Sequence, residues 1–333
     1  MLLSSNRPTI SIIIPVHNGG ENFRRCLLSL KESYTAPEEI IVVADGESDG
    51  SWRIAKDFDT EILEISSPGG PSRARNLGAR KAKGDILFFV DADVAISKDA
   101  VGLISYAFQQ EHDLAAAFGS YDDEPFETNF LSQYKNLFHH YVHQTSNEEA
   151  STFWGACGAI RRDIFLENGG FNEKYRFPSI EDIELGYRLK KAGYRIRLIK
   201  QLYVKHLKHW GFLSLVKADF LYRAVAWTRL ILKERLFLDD LNLKISSRIS
   251  VFSVCLMIFM LAGTSFSPWL LLPAMFFAVL LLILNKDLYG FFQKRRGWLF
   301  VLKTIPWHWF YFFYSGLAFL AGFIDYQIGK FKK

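Results

Sequence analysis

Apolar residues follow two rhythms along this chain: short unbroken runs before about residue 200, and long ones after about residue 245. The first run, Ile10-Ser11-Ile12-Ile13-Ile14-Pro15, predicts a strand ending at proline, after which Phe23, Leu27, Leu28 and Leu30 recur at helical spacing. The rhythm then repeats. Glu39 to Ala44 reads as a strand and Asp45 to Ser51 as a turn-rich loop, with Ser51 a candidate cap for a helix through Trp52 and Ile54. A third strand is predicted at Glu61 to Ile65, and the loop Ser66 to Pro71 leads into a basic helix, Ser72 to Lys83. Ile86 to Val90 is an uninterrupted apolar run, the pattern of a strand covered on both faces. Strands alternating with helices predict an α/β fold with a parallel, doubly wound sheet.

Further along, the pattern predicts a helix after Asp99, a strand at Leu114 to Gly119 and a helix at Phe130 to His143. His139, His140 and His143 could suggest a metal cluster, but no carboxylate accompanies them at ligand spacing, and they read as polar positions on an amphipathic helix. Phe153 to Ile160 is a strand of small residues, suited either to close approach of a ligand or to tight core packing. Ser179 is a candidate N-cap for a helix carrying Ile183, Leu185 and Leu189.

The C-terminal pattern is different in kind. Ile249 to Leu284 holds 36 residues without a charge, about 54 Å as one helix and too long for a single span of a roughly 30 Å hydrocarbon core. Gly263 to Pro268 divides it, so a hairpin of two membrane helices is expected at about 249–266 and 268–284. A third apolar stretch, 305–324, carries aromatic residues at one end in the manner of an interfacial belt. Lys244 and Arg248 before the hairpin, and Lys286, Lys294, Arg295 and Arg296 after it, place both flanks inside. Lys330, Lys332 and Lys333 ask for the same side, which three full spans would forbid, and the sequence leaves that conflict open. Residues 211–245 interleave Phe212, Leu215, Phe220, Val225, Trp227 and Leu230 with Lys and Arg, as expected for an amphipathic helix lying on a membrane face. The division expected is therefore 1–210, 211–245 and 246–333.

Composition sharpens this picture. The 16% aromatic content, with 30 Phe, is heavy for a purely water-exposed protein. A net charge of +5 does not suggest a nucleic-acid partner, and the basic residues near the apolar stretches read as lipid-headgroup contacts. Cys26, Cys157 and Cys255 lie far apart with no metal spacing, which fits a reduced compartment. Met1 to Thr9 lacks an apolar core of signal-peptide length, so residues 1–248 are expected in the cytoplasm of a multi-pass plasma- or inner-membrane protein. Oligomeric state is not legible.

The chemistry begins at Asp91-Ala92-Asp93, directly after the buried run. Two carboxylates at the C-terminal edge of a strand face the mouth where α/β folds bind ligands. They could share a hard divalent cation on a diphosphate, or cap the next turn. Glu181-Asp182 could supply a general base, or could simply be acids favoured by a helix N-terminus.

Taken together, these pieces resemble the family 2 glycosyltransferases, with order and spacing that agree across residues 10–200. Ile12 to Asn18 is similar to that family's opening strand and nucleotide loop, Asp45 to Ser51 to its DGS-x-DGT turn, and Ala74-Arg75-Asn76-Leu77-Gly78 to its A-R-N-x-G helix. Asp91-Ala92-Asp93 matches its DxD and Glu181-Asp182 its late ED pair. The resemblance implies a GT-A, Rossmann-like nucleotide-diphospho-sugar transferase domain, followed by the interfacial helix and transmembrane helices. It implies that Pro15, Val16, His17, Asn18, Asp45, Arg75, Asn76 and Asp91 line the nucleotide site. Asp91, Asp93 and His206 would hold Mg²⁺ or Mn²⁺, although His206 reads equally well as a headgroup-level histidine between two lysines. Asp182 would be the base in an inverting transfer to a lipid or lipid-linked acceptor.

Three rivals are weighed on residues. A processive polysaccharide synthase of the family would carry Q-x-x-R-W after the ED helix, and this chain has none. Phe88 to Val94 also resembles the opening of haloacid-dehalogenase phosphatases, which leaves the upstream motifs unexplained. A non-catalytic membrane scaffold would be marked by loss of DxD or ED, and both are present.

Overall fold

The computed structural model describes residues 7–235 and 244–331. The chain divides into two compact units, Met1–His209 and Trp210–Lys333.

The first unit runs β1 (Ile10–Val16), α1 (Gly20–Lys31), β2 (Glu39–Asp45), α2 (Ser51–Ala55), β3 (Glu61–Ile65), α3 (Pro71–Lys81) and β4 (Ile86–Val90). It continues through β5 (Val94–Ile96), α4 (Ala100–Gln110), β6 (Leu114–Tyr121), α5 (Phe130–Gln144), β7 (Cys157–Arg161), α6 (Arg162–Glu167), α7 (Glu181–Lys191) and β8 (Arg195–His206). The strands form one eight-stranded sheet in the order β3-β2-β1-β4-β7-β6-β8-β5. The first four are parallel, as the alternation predicts, but β7 pairs antiparallel to β4 and to β6, and β5 pairs antiparallel to β8. The expectation of a wholly parallel sheet is thus corrected to a mixed one, because an apolar run carries no strand direction of its own and the sheet neighbours set it.

Apolar residues from both faces build two core clusters, one with Ile12, Ile14, Phe88 and Val90, the other with Ile13, Val43, Phe89 and Leu87. All five residues of β4 are buried, which is why the run is continuous rather than alternating. Pro15 sits beyond the β1–β4 ladder, whose last pair is Ile13 with Phe89, so its missing N–H costs that ladder nothing. The order 3-2-1-4 puts a topological switch point between β1 and β4, and a crevice at the C-terminal ends of those strands.

The second unit is helical: α8 (Phe212–Lys217), a π-helix (Ala218–Val225), α9 (Ala226–Glu234), α10 (Ile245–Gly263), a 3₁₀ turn (Pro268–Leu270), α11 (Leu271–Leu284), α12 (Lys286–Arg296) and α13 (Trp298–Phe331). The helix expected over 211–245 runs without a break from Phe212 to Glu234, its middle wound as the π-helix, and residues 236–243 of that range lie outside the described residues. Lys332 and Lys333, invoked for the side of the C-terminus, lie outside them too.

Among the described residues one helix, Ile245–Gly263, is long and apolar enough to cross a membrane. A second span arises only if Pro268–Leu284 and Lys286–Arg296, bent by 62°, count as one. The third expected stretch, 305–324, falls inside α13, which does not reach that standard because tryptophan, tyrosine and histidine dilute its aliphatic content. The expectation of several full spans is reduced accordingly.

Candidate functional site

Three loops meet at the C-terminal ends of β1, β2 and β4, and side chains fasten each to another. Asn18, at φ 54°, accepts the Ser48 and Asp49 amides through its Oδ1, which binds the loop after β1 to the loop after β2. His17 Nδ1 lies 2.8 Å from the Asp45 carbonyl. Ser51, expected as a helix cap, is the first residue of α2 and caps nothing there. Its hydroxyl donates to Asp49 and accepts the Gly19 and Gly20 amides, holding the start of α1.

Asp45 is buried, and its two oxygens accept the amides of Gly69 at 2.8 Å and Gly70 at 2.7 Å. Gly70 has φ 89°, and a Cβ there would stand 2.3 Å from the Arg176 carbonyl oxygen. Only glycine allows the loop before α3 to turn toward Asp45 and still pass the segment before α7.

Asp91, Ala92 and Asp93 lie in a tight turn rather than on β4, closed by the Val94 amide on the Asp91 carbonyl. The two carboxylates take different partners. Asp91 Oδ1 receives Arg75 Nη2 at 2.5 Å, and Asp93 Oδ2 lies 3.6 Å from Lys208 Nζ.

Arg75 is the centre of this arrangement. It is buried on α3, and its other terminal nitrogen, Nη1, donates to Glu181 Oε1 at 3.0 Å. Its guanidinium carbon lies 5.3 Å from the centre of the Phe171 ring, while its Nε is buried with no hydrogen-bond partner. Arg75, expected to line the nucleotide site, spans the DxD turn and the start of α7. Asn76, expected in the same role, is wholly occupied with the loop after α6. It donates to the Phe171 carbonyl and Glu173 and accepts the Phe171 amide. It also borders a cleft of about 430 Å³ shared with Arg80, Phe171, Glu184 and Arg188.

Ser179 is not the cap of α7. Ile180 holds that position with no side-chain bond, and Glu181 folds back to accept the Ser179 amide at 2.8 Å. Asp182 Oδ1 accepts the Ile183 amide at 2.8 Å and Oδ2 the Gly155 amide at 3.0 Å. Burial, then the neighbouring Glu181 charge, push the Asp182 carboxyl up to about 7, against the pull of the Gly155 amide and Arg75.

The segment around Gly155 is loop as far as Ala156, and β7 starts only at Cys157. Trp154 packs edge-on to Tyr121 and tilted on His139. His140 and His143 are buried, not polar surface positions; their Nδ1 atoms meet the Tyr121 and Gly119 carbonyls. Sequence reasoning missed Tyr121 and Lys208 at this rim, and no motif marked either.

The donor set for a cation fits in kind: two carboxylates on one turn, and an imidazole on β8 where His206 pairs with Val94. It is not gathered as a cluster. His206 is buried and stacked on Tyr121 at 4.4 Å, and among the described residues no three His, Cys, Asp or Glu side chains are grouped to hold a metal.

Residues 11–169 match the family described as Glycosyl transferase family 2. Among curated relatives, glycosyltransferase AglE of Haloferax volcanii is 39% identical over 99 residues, covering 27% of this chain and 32% of its own. The uncharacterized glycosyltransferase YfnE of Bacillus subtilis is 25% identical over 253 residues, covering 60% of this chain and 64% of its own. The chain thus matches about a third and just under two thirds of those proteins. Among solved structures, mannosyltransferase PcManGT from Pyrobaculum calidifontis, in complex with GDP-Man and Mn²⁺, has a TM-score of 0.56 at 15% identity. It covers 96% of this chain and 87% of its own, a likeness of fold.

Proposed function

We propose that this chain, which carries a glycosyl transferase family 2 domain, moves one sugar from a nucleotide-diphosphate donor to a hydroxyl or phosphate acceptor with inversion at the anomeric carbon. The observation that carries the reading is that one acid of each pair, Asp91 of the DxD turn and Glu181 of the pair at the start of α7, meets the single Arg75 guanidinium.

In this reading the loops of Pro15 to Asn18 and Asp45 form the nucleotide end. The buried Asp45 carboxylate keeps those loops in shape through Gly69 and Gly70 while its remaining lone pairs face the base. Asp91 and Asp93, with His206, would hold a divalent cation, which when bound supplies counter-charge for the departing diphosphate. Lys208 beside Asp93 adds positive charge on the same side. Asp182 takes the acceptor proton. Its carboxyl, raised to about 7, is basic enough to accept a proton yet largely ionised above neutrality. The two main-chain amides on its oxygens fix its direction.

The acceptor is a lipid or lipid-linked glycan at a bilayer. Support comes from α10, an apolar helix that is mostly unburied and whose Phe252 and Phe259 are exposed, a surface suited to lipid rather than water. The test is nucleotide release by the full chain in detergent across a panel of nucleotide sugars, with membrane lipid extract as acceptor and Mn²⁺, Mg²⁺ or chelator present. Release that depends on donor, lipid and cation is the expected result. Release from no nucleotide sugar would sink the transferase reading.

A further inference from the structure

We propose that Arg75 is a positioning residue that gives the adjacent carboxylates Glu181 and Asp182 separate tasks, Glu181 as a fixed strut and Asp182 as the group left facing the acceptor. The inference rests on the transferase reading and goes beyond it, since that reading makes Asp182 the base but gives no task to Glu181 or to the fork of Arg75.

Glu181 has little freedom to react. One oxygen takes Arg75 Nη1 at 3.0 Å, the other the Ser179 amide at 2.8 Å, and its side chain is 6% exposed. A carboxylate held at both ends by charged and main-chain donors keeps its charge and orientation. Asp182 is half-buried, and among the described residues its oxygens accept one main-chain amide each, from Ile183 and Gly155, so each retains a lone pair.

The fork of Arg75 explains why the division holds across the site. Its second nitrogen reaches Asp91, so one planar group sets the distance between the DxD turn and the start of α7. A lysine offers one point charge and cannot span two carboxylates at a fixed angle. The contact with Phe171 orients the guanidinium. Gly155 lies against both groups, since a Cβ there would make van der Waals contact with Arg75 Cζ at 3.4 Å and Asp182 Cβ at 3.5 Å. The groups facing Asp182 are therefore Glu181 on its own helix, Arg75 from α3 and the amide of Gly155, with Asp91 behind Arg75.

The experiment uses the full chain in detergent with Arg75→Lys, Glu181→Gln and Asp182→Asn. Binding of UDP and GDP with Mn²⁺ is measured by calorimetry, and transfer as kcat against pH. Arg75→Lys should lower kcat by about 10²-fold while the nucleotide Kd moves by less than about threefold. Glu181→Gln removes the charge and keeps an acceptor oxygen for one of its two donors, Arg75 or the Ser179 amide, so kcat should stay within about tenfold and the acidic limb should move to lower pH. A Kd that rises in step with the kcat loss would make Arg75 a nucleotide contact and overturn the proposal. So would a Glu181→Gln loss as large as that of Asp182→Asn. Carbon-13 titration of the Asp182 carboxyl separates this outcome from failure of the transferase reading. Even with no active donor, Asp182 should titrate near neutrality, and Glu181→Gln should lower that value because the adjacent charge is gone. An Asp182 carboxyl that Glu181→Gln leaves unmoved would refute the division of tasks.

Discussion

Arg75 Nη1 and Glu181 Oε1 lie 3.0 Å apart although 106 residues separate them along the chain, and neither side chain is more than 6% exposed. The pair joins the helix after the glycine loop to the helix that carries the acidic pair. Removing one side of a buried ion pair leaves the other charge uncompensated, typically at about 3–5 kcal/mol. Arg75→Met should therefore lose stability on that order, read as a lower apparent Tm of the detergent-solubilised chain. An unchanged Tm would mean that the bridge contributes no net stability.

Asp182→Asn should bind nucleotide as the unaltered protein does and transfer about 10²–10⁴ times more slowly. In the unaltered protein kcat should rise with pH through about 7, because the base must be ionised and burial beside Glu181 holds its carboxyl that high. The same shift fixes a stability sign. A carboxyl raised in the folded state favours folding below its unfolded value near 3.8, and that contribution is lost as pH climbs through about 7. Melting the variant and the unaltered protein at pH 5 and pH 8 checks this, since the Asn variant should compare more favourably at pH 8.

Asp93→Asn should raise the Mn²⁺ concentration needed for half-maximal nucleotide release by at least about tenfold, with the melting temperature nearly unchanged. Its carboxylate is paired with the half-exposed Lys208, and an exposed pair of that kind is worth roughly 0–1 kcal/mol. Titration of release against Mn²⁺ reads the first effect and a melt reads the second. Full activity with the same cation requirement would remove Asp93 from the metal set.

Asn76→Ala should act on stability rather than on nucleotide contact. It strips the Phe171 amide and carbonyl of their partner inside the fold, a penalty of about 1–3 kcal/mol for each buried group left unpaired. A variant with normal stability and a weakened nucleotide Kd would restore the ligand-contact role that the A-R-N-x-G resemblance implies.

Topology can be read by cysteine labelling in sealed vesicles. Asp57→Cys and Lys294→Cys should react only from the cytoplasmic face. Ser265→Cys, in the bend after α10, should react only from the opposite face. Labelling of position 57 from outside would exclude the use of cytosolic nucleotide sugar.

Much of this protein was determined by local pattern. The runs Ile10 to Pro15, Glu39 to Ala44 and Ile86 to Val90 are continuous because these strands are covered on both faces, so burial is written directly into composition. Asp91-Ala92-Asp93 and Glu181-Asp182 are legible because these acids sit at element ends, after β4 and at the start of α7. Partner choice was decided only by tertiary structure. Nothing in Ala74-Arg75-Asn76 says that the arginine forks between Asp91 and Glu181, or that the asparagine is consumed by Phe171, because those partners arrive from 16, 106 and 95 residues away. The antiparallel placement of β5 and β7 was equally hidden, since an apolar run has no direction until its neighbours in the sheet supply one.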